Sequence, residues 1–138
     1  INDQTNPTLN LGTVNTVDLA KAGDTGPATN FTLDLTACPN TVTAASVTFT
    51  GNADGSMNTA FKNESSDSGA ATNVGVQLYD ASAAKVSPSS AVDVSSFLTA
   101  DATTTEAHIP FTARMVAVAD TATAGTLVSH ADYTISYQ

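Results

Sequence analysis

The sequence has no tryptophan, one cysteine and only four basic residues, Lys21, Lys62, Lys85 and Arg114, among its 138. Set against 13 acidic side chains, these leave a formal net charge of -9 at neutral pH. A surface of that sign repels phosphate backbones and anionic headgroups, so no nucleic-acid or membrane-surface partner is expected. The longest apolar run, Met115 to Ala119, is far too short to cross a bilayer, and the chain does not read as membrane-embedded. No signal peptide precedes Ile1, as is also true of a mature secreted chain that has lost one. Bulky apolar residues are scarce as well: 23 of the apolar side chains are alanine and only 6% of residues are aromatic. The interior must be thin, and each aromatic ring matters to it.

Side-chain groupings that carry chemistry are equally sparse. His108 and His130 have no acidic or cysteine cluster at metal-ligand spacing around them, so no metal or other cofactor is expected. Ser129, His130 and Asp132 are triad residue types. Neighbours on a strand point to opposite faces, however, and cannot assemble a nucleophile and its base. Asn52, Asp54 and Asn58 with Gly55 lack the closing acidic residue of a calcium loop and read as turn residues. Asn30-Phe31-Thr32 and Asn63-Glu64-Ser65 match the glycosylation sequon, which arises by chance in a chain this rich in serine and threonine. Nothing sets a lysine opposite an asparagine for an isopeptide link. The sequence does not read as an enzyme.

Alternation of apolar and polar residues is what the chain does have, with valine, threonine and aromatics dominating it and no sustained 3.6-residue period. Patterning starts at Leu9 and Leu11, and after Gly12 the broken spacing of Val14, Val17 and Leu19 reads as a strand with a bulge or a switch between sheets. Phe31, Leu33 and Leu35 give the clearest internal strand, ending at Cys38, and Ser46 to Thr50 gives another. Ser56 to Thr72 is a polar excursion anchored by Phe61. Val74, Val76 and Leu78 form a strand; Ala91 to Leu98 is a weak one, and Thr99 to Ala107 is polar. In His108 to Val118, Ile109, Phe111, Ala113 and Met115 share a face, and Pro110, which cannot donate to a ladder, predicts a bulge or an edge there. About seven short strands at this spacing predict an all-β sandwich of immunoglobulin type. Cys38 alone reads as a buried thiol, or as half of a disulfide whose partner lies outside this chain.

The C-terminal stretch, Gly125 to Gln138, organises the rest. Leu127, Ala131, Tyr133, Ile135 and Tyr137 fall on one parity and mainly polar residues on the other, which predicts a long half-buried strand from Leu127 onward. So long a strand is unsafe at a sheet edge, and pairing on both sides is expected, in part from another chain.

Gly125 stands fourteenth from the end and Tyr137 is penultimate, with apolar residues alternating between them. This pattern resembles the C-terminal motif of chaperone-usher pilins. Ala71 to Asp80, Ile109 to Arg114 and Phe31 to Cys38 are similar to the same family, in particular to type 1 fimbrial major subunits. The resemblance implies an incomplete immunoglobulin-like β-sandwich, completed by a donor strand from another chain. Gly125, Leu127, Ala131, Tyr133, Ile135 and Tyr137, together with Ile109 and Phe111, would line the acceptor groove or its adjoining core. The terminal carboxylate of Gln138 would be anchored by a chaperone. Implied partners are identical or related subunits, a periplasmic chaperone and an outer-membrane usher; the implied location is an extracellular fimbria reached through the periplasm, and the implied role is structural, in adhesion. A carbohydrate-binding tip adhesin, or its pilin domain, is the alternative. Residues 1-138 then read as a single pilin domain without the N-terminal donor-strand extension and the first-strand cysteine, and Cys38 as half of a disulfide whose partner is not in this chain.

Overall fold

Leu33 and Leu35 on one strand and Ile109, Phe111 and Ala113 on another all point inward from strictly alternating positions, and each is at most 5% exposed. They face Val47 and Phe49, at 0% and 3%, from a second sheet, and this two-sided apolar layer is the main core. The computed structural model describes residues 8-138; the polar opening Ile1 to Pro7 lies outside the described residues.

Among the described residues nine strands form two sheets: β1 (Thr29–Pro39), β2 (Ala45–Thr50), β3 (Phe61–Lys62), β4 (Val74–Tyr79), β5 (Lys85–Val86), β6 (Ala91–Asp93), β7 (Leu98–Ala100), β8 (Thr104–Ala117) and β9 (Asp132–Tyr137). The larger sheet runs β1-β8-β4-β3, with β5 added to β4 and β7 to β8; the smaller runs β6-β2-β9. All strand pairs are antiparallel. The expected all-β sandwich is therefore present. Aromatic rings bind the layers together: Phe111 stacks on Phe31 at 5.6 Å between centroids and meets Phe49 of the opposite sheet edge-on at 5.1 Å.

Pro110 sits in the middle of β8, opposite Thr32, with no register shift beside it. On the other flank, β7 pairs only residues 105-107 and β4 only residues 112-117. Pro110 lies in the gap between those two ladders, so its missing N–H costs no bond on that side. The irregularity in this ladder is elsewhere, between Leu35 and Cys38.

Several expectations need correction. Leu9 to Leu19 is not a bulged strand: residues 8-15 pair with nothing and Thr16–Leu19 is a 3-10 turn. The Asn10 side chain accepts from the Gly12 amide at 2.8 Å and Gly12 takes a φ of 76°, which breaks extension. Val17 and Leu19 share parity, yet Val17 is 76% exposed and Leu19 is 2%. The weak strand at Ala91 to Leu98 is really two strands in different sheets. Asp93 accepts from the Ser95 amide and hydroxyl at 2.9 and 2.6 Å and turns the chain from one layer to the other. The polar stretch Thr99 to Ala107 is mostly strand, because its inward positions are Thr105 and Ala107, at 0% and 1% exposure.

Truncating Phe111 to alanine removes the ring shared by both sheets and should cost about 3-5 kcal/mol. Val17→Ala should stay within about 0.5 kcal/mol. Urea unfolding of the two variants checks the contrast.

Candidate functional site

The strand expected to run from Leu127 forms a ladder only over Asp132–Tyr137. Its alternation holds further back, since Leu127, Ala131, Tyr133 and Ile135 are all half-buried while Thr126, Val128, His130, Asp132 and Thr134 are exposed. What stops the ladder is the lead-in, residues 125-130, which leaves the sheet to lie along the β3-β4 loop. Thr126 makes a single parallel bridge with Ala70 there.

Within this chain β9 is paired on one side, by β2, from Ala45↔Tyr137 to Thr50↔Asp132. Among the described residues no strand pairs its other edge. Tyr133 and Ile135 pack against the main core from that strand and Ala131 from the residue before it, and Leu11 packs on the same core from the unpaired segment 8-15. Tyr133 joins the aromatic group through Phe49 at 6.3 Å. The site is thus a strand edge of free N–H and C=O groups beside apolar side chains that are only half covered. Such an edge can accept a further strand, its backbone bonding the incoming chain and its side-chain pockets setting register.

The other residues singled out from the sequence sit as follows. Ile109 and Phe111 are 1% exposed, inside the sandwich beneath this edge. Leu127 packs in a separate small cluster with Leu19, Val74 and Ala117. Tyr137 is 47% exposed at the end of β9; partial burial pushes its phenol up, and the neighbouring Cys38 thiol adds to the shift. Cys38 is buried at the β1 irregularity. The Gln138 carbonyl accepts from the amides of Thr43 and Ala44 at 2.8 and 3.0 Å, and its N–H donates back to Ala44 at 2.9 Å. Gly125, with φ 157°, is needed for space: a Cβ there would collide with the Gly69 carbonyl and the Ala71 amide.

Both histidines lie on polar faces, as the alternation indicates, but each has a carboxylate partner that spacing could not reveal. His108 Nδ1 is 2.7 Å from Asp34 across the β1-β8 ladder, and His130 pairs with Glu64. Burial pushes the Glu64 carboxyl up, but the hydrogen bonds from Asn52 and His130 outweigh it and hold the group below its usual range. The hydrogen bond to Asp34 raises His108. Asn63 stood out in the sequence only as a sequon match, and its four hydrogen bonds, to residues 2 to 65 positions away, could not be read from it.

Gly125→Ala should destabilise by about 1-3 kcal/mol, whereas Gly55→Ala should stay within about 0.5 kcal/mol, both read from denaturant midpoints. A Cβ at Gly55 has nothing within 4 Å. A raised folded-state histidine contributes stability that is fully present below the unfolded value of about 6.5 and is lost as pH rises through the folded value. An NMR titration should therefore place His108 above an unperturbed histidine, and Asp34→Asn should bring it back down.

Comparison with known proteins agrees with this architecture. The family model described as "Fimbrial protein" matches residues 1-138. The chain is 38% identical over 133 residues to a fimbrial subunit type 1 of Klebsiella pneumoniae, spanning 95% of this chain and 71% of that protein. In fold it is similar to a type I fimbria protein of Burkholderia pseudomallei, with a TM-score of 0.73 at 24% identity over 97% of this chain and 84% of the other. It is also similar to the P pilus rod subunit, with a TM-score of 0.72 at 15% identity over 97% and 94% of the two chains. The chain belongs to the fimbrial protein family and is a structural pilin.

Proposed function

We propose that this pilin polymerises into an extracellular bacterial surface fibre, used for adhesion, by accepting along β9 a strand donated by the neighbouring subunit. The observation that carries this reading is the unpaired β9 edge, flanked by half-buried Ala131, Tyr133 and Ile135. A donor running between β9 and the segment around Leu11 would satisfy the free backbone groups and cover those side chains in one step. Before assembly the same edge would be unsafe, since it can recruit any extended chain. A periplasmic chaperone that lends a strand, and an outer-membrane usher at which the lent strand is exchanged for the donor, answer that hazard. On the same reading Cys38 forms a disulfide with a cysteine outside residues 1-138. A sugar-binding tip role has less support. The exposed large apolar side chains among the described residues are Leu9, Val17, Val128 and Tyr137, which include one aromatic and hence no aromatic platform.

The test is thermal unfolding of the chain after refolding with and without a synthetic peptide that is apolar at alternate positions. A ligand bound only to the folded state adds about 2.7 kcal/mol at 100 times its dissociation constant. A large rise in Tm that disappears when the peptide's apolar positions are scrambled is the expected outcome. A domain indifferent to the peptide would mean a closed sandwich and end the donor-strand reading.

A further inference from the structure

Among the described residues β9 has a ladder on one side only, so what pins its two ends decides how well ordered its free edge is. Its C-terminal end is tied down by the Gln138 bonds to Thr43 and Ala44. Its N-terminal end has no strand ladder among the described residues, and the lead-in is held instead by the β3-β4 loop, through main-chain bonds of Thr126 to Gly69 and Ala71 at 3.0 and 2.9 Å and through side chains. Asn63 Nδ2 donates to the carbonyls of Ala71 and Thr126 at 2.9 and 3.0 Å, and Oδ1 accepts from the amides of Ser65 and Val128 at 3.0 and 3.1 Å. One side-chain amide thereby uses two donors and two acceptor positions to tie the loop to the lead-in. Glu64 repeats the tie one residue later. Its N–H donates to the Val128 carbonyl at 2.6 Å, and its carboxylate takes the Asn52 amide on one oxygen and the His130 imidazole on the other. The Ser65 and Thr126 hydroxyls, 2.7 Å apart, and Asp67, 3.2 Å from Thr126 Oγ1, extend the same seam.

Two glycines make room for it. Gly125 admits the lead-in against Gly69 and Ala71, and a Cβ on Gly51 would come within 2.7 Å of the His130 carbonyl. Asn63 and Glu64 lie outside β9, and neither belongs to the apolar set that flanks its free edge.

We propose that Asn63 and Glu64 are positioning residues for the acceptor edge: by clamping residues 125-130 they fix where β9 begins and hold its unpaired side extended for the incoming strand. The inference rests on the donor-strand reading above. An edge strand with one ladder frays from an unpinned end, and a frayed edge must be reordered when a partner is captured. Each residue held extended beforehand is one fewer to immobilise at capture. Loss of the clamp should therefore weaken β9 more than the rest of the sandwich and slow strand capture.

The test compares Asn63→Ala and Glu64→Gln with Asp101→Ala; the Asp101 carboxylate accepts from the Thr103 and Thr104 amides at 2.7 and 2.8 Å in the turn between β7 and β8, far from the clamp in sequence. Amide hydrogen exchange is followed on the full chain, together with the association rate of a fluorescent synthetic peptide apolar at alternate positions. Asn63→Ala should speed exchange of the β9 amides bonded to β2 about tenfold beyond any change in β1 and β8, and should slow peptide association. Glu64→Gln should move both readouts the same way by less, and Asp101→Ala should move neither selectively. Exchange that rises equally in β1, β8 and β9, or peptide association unchanged in Asn63→Ala, would overturn the proposal. A wild-type chain that captures no peptide would instead sink the donor-strand reading, while the exchange comparison still decides whether the clamp orders β9.

Discussion

Everything in this fold that bears on assembly depends on the six-residue ladder between β2 and β9. It places Tyr133 and Ile135 over the core, and it does so from one side only. A central strand would bury those side chains and use all its backbone groups; a detached one would bury nothing. An edge strand over a thin core lies between these limits, stable enough to keep its register and unsatisfied enough to gain from a partner. The scarcity of large apolar residues belongs to the same arrangement. With no tryptophan and 23 alanines, the chain has few large side chains to spend on that edge.

The parts of this architecture that were legible in the sequence are those where one face is buried and the inward residues are large. Phe31, Leu33 and Leu35, or Val47 and Phe49, announce their strands because alternation and hydrophobicity coincide. Where the inward residue is threonine or alanine, as at Thr105 and Ala107, the strand is just as real and the pattern is silent. The Leu9 to Leu19 segment shows the converse, since its apolar residues suggest a strand that the Asn10 turn and Gly12 break. The gap that accommodates Pro110 needs two ladders to stop short of it, and neither β4 nor β7 shows in its own sequence where it stops.

For the site, the alternation of Leu127, Ala131, Tyr133 and Ile135 was readable, whereas Gly125 entered only through the resemblance. The extent of the strand was not. Periodicity reports which way side chains point, and an extended segment has the same period whether or not it is hydrogen-bonded into a sheet. The lead-in keeps its period while bonding to the β3-β4 loop through Asn63 and Glu64, residues that sit in a polar stretch with no pattern of its own. Contacts of that kind join positions more than 60 residues apart, and only the folded chain brings them together.

The placement of β8 also has a kinetic consequence. This strand is the partner of β1, β4 and β7, yet it comes near the end of the chain, so Phe31 must wait for Phe111 to be made before the first strand is paired. Such non-local pairings fold slowly, because loop closure must precede the contacts that stabilise it. During synthesis the earlier strands emerge without their central neighbour, with apolar faces uncovered. A polypeptide built this way spends its vulnerable interval before its middle exists, and for that interval its aggregation is governed by how long β8 takes to arrive.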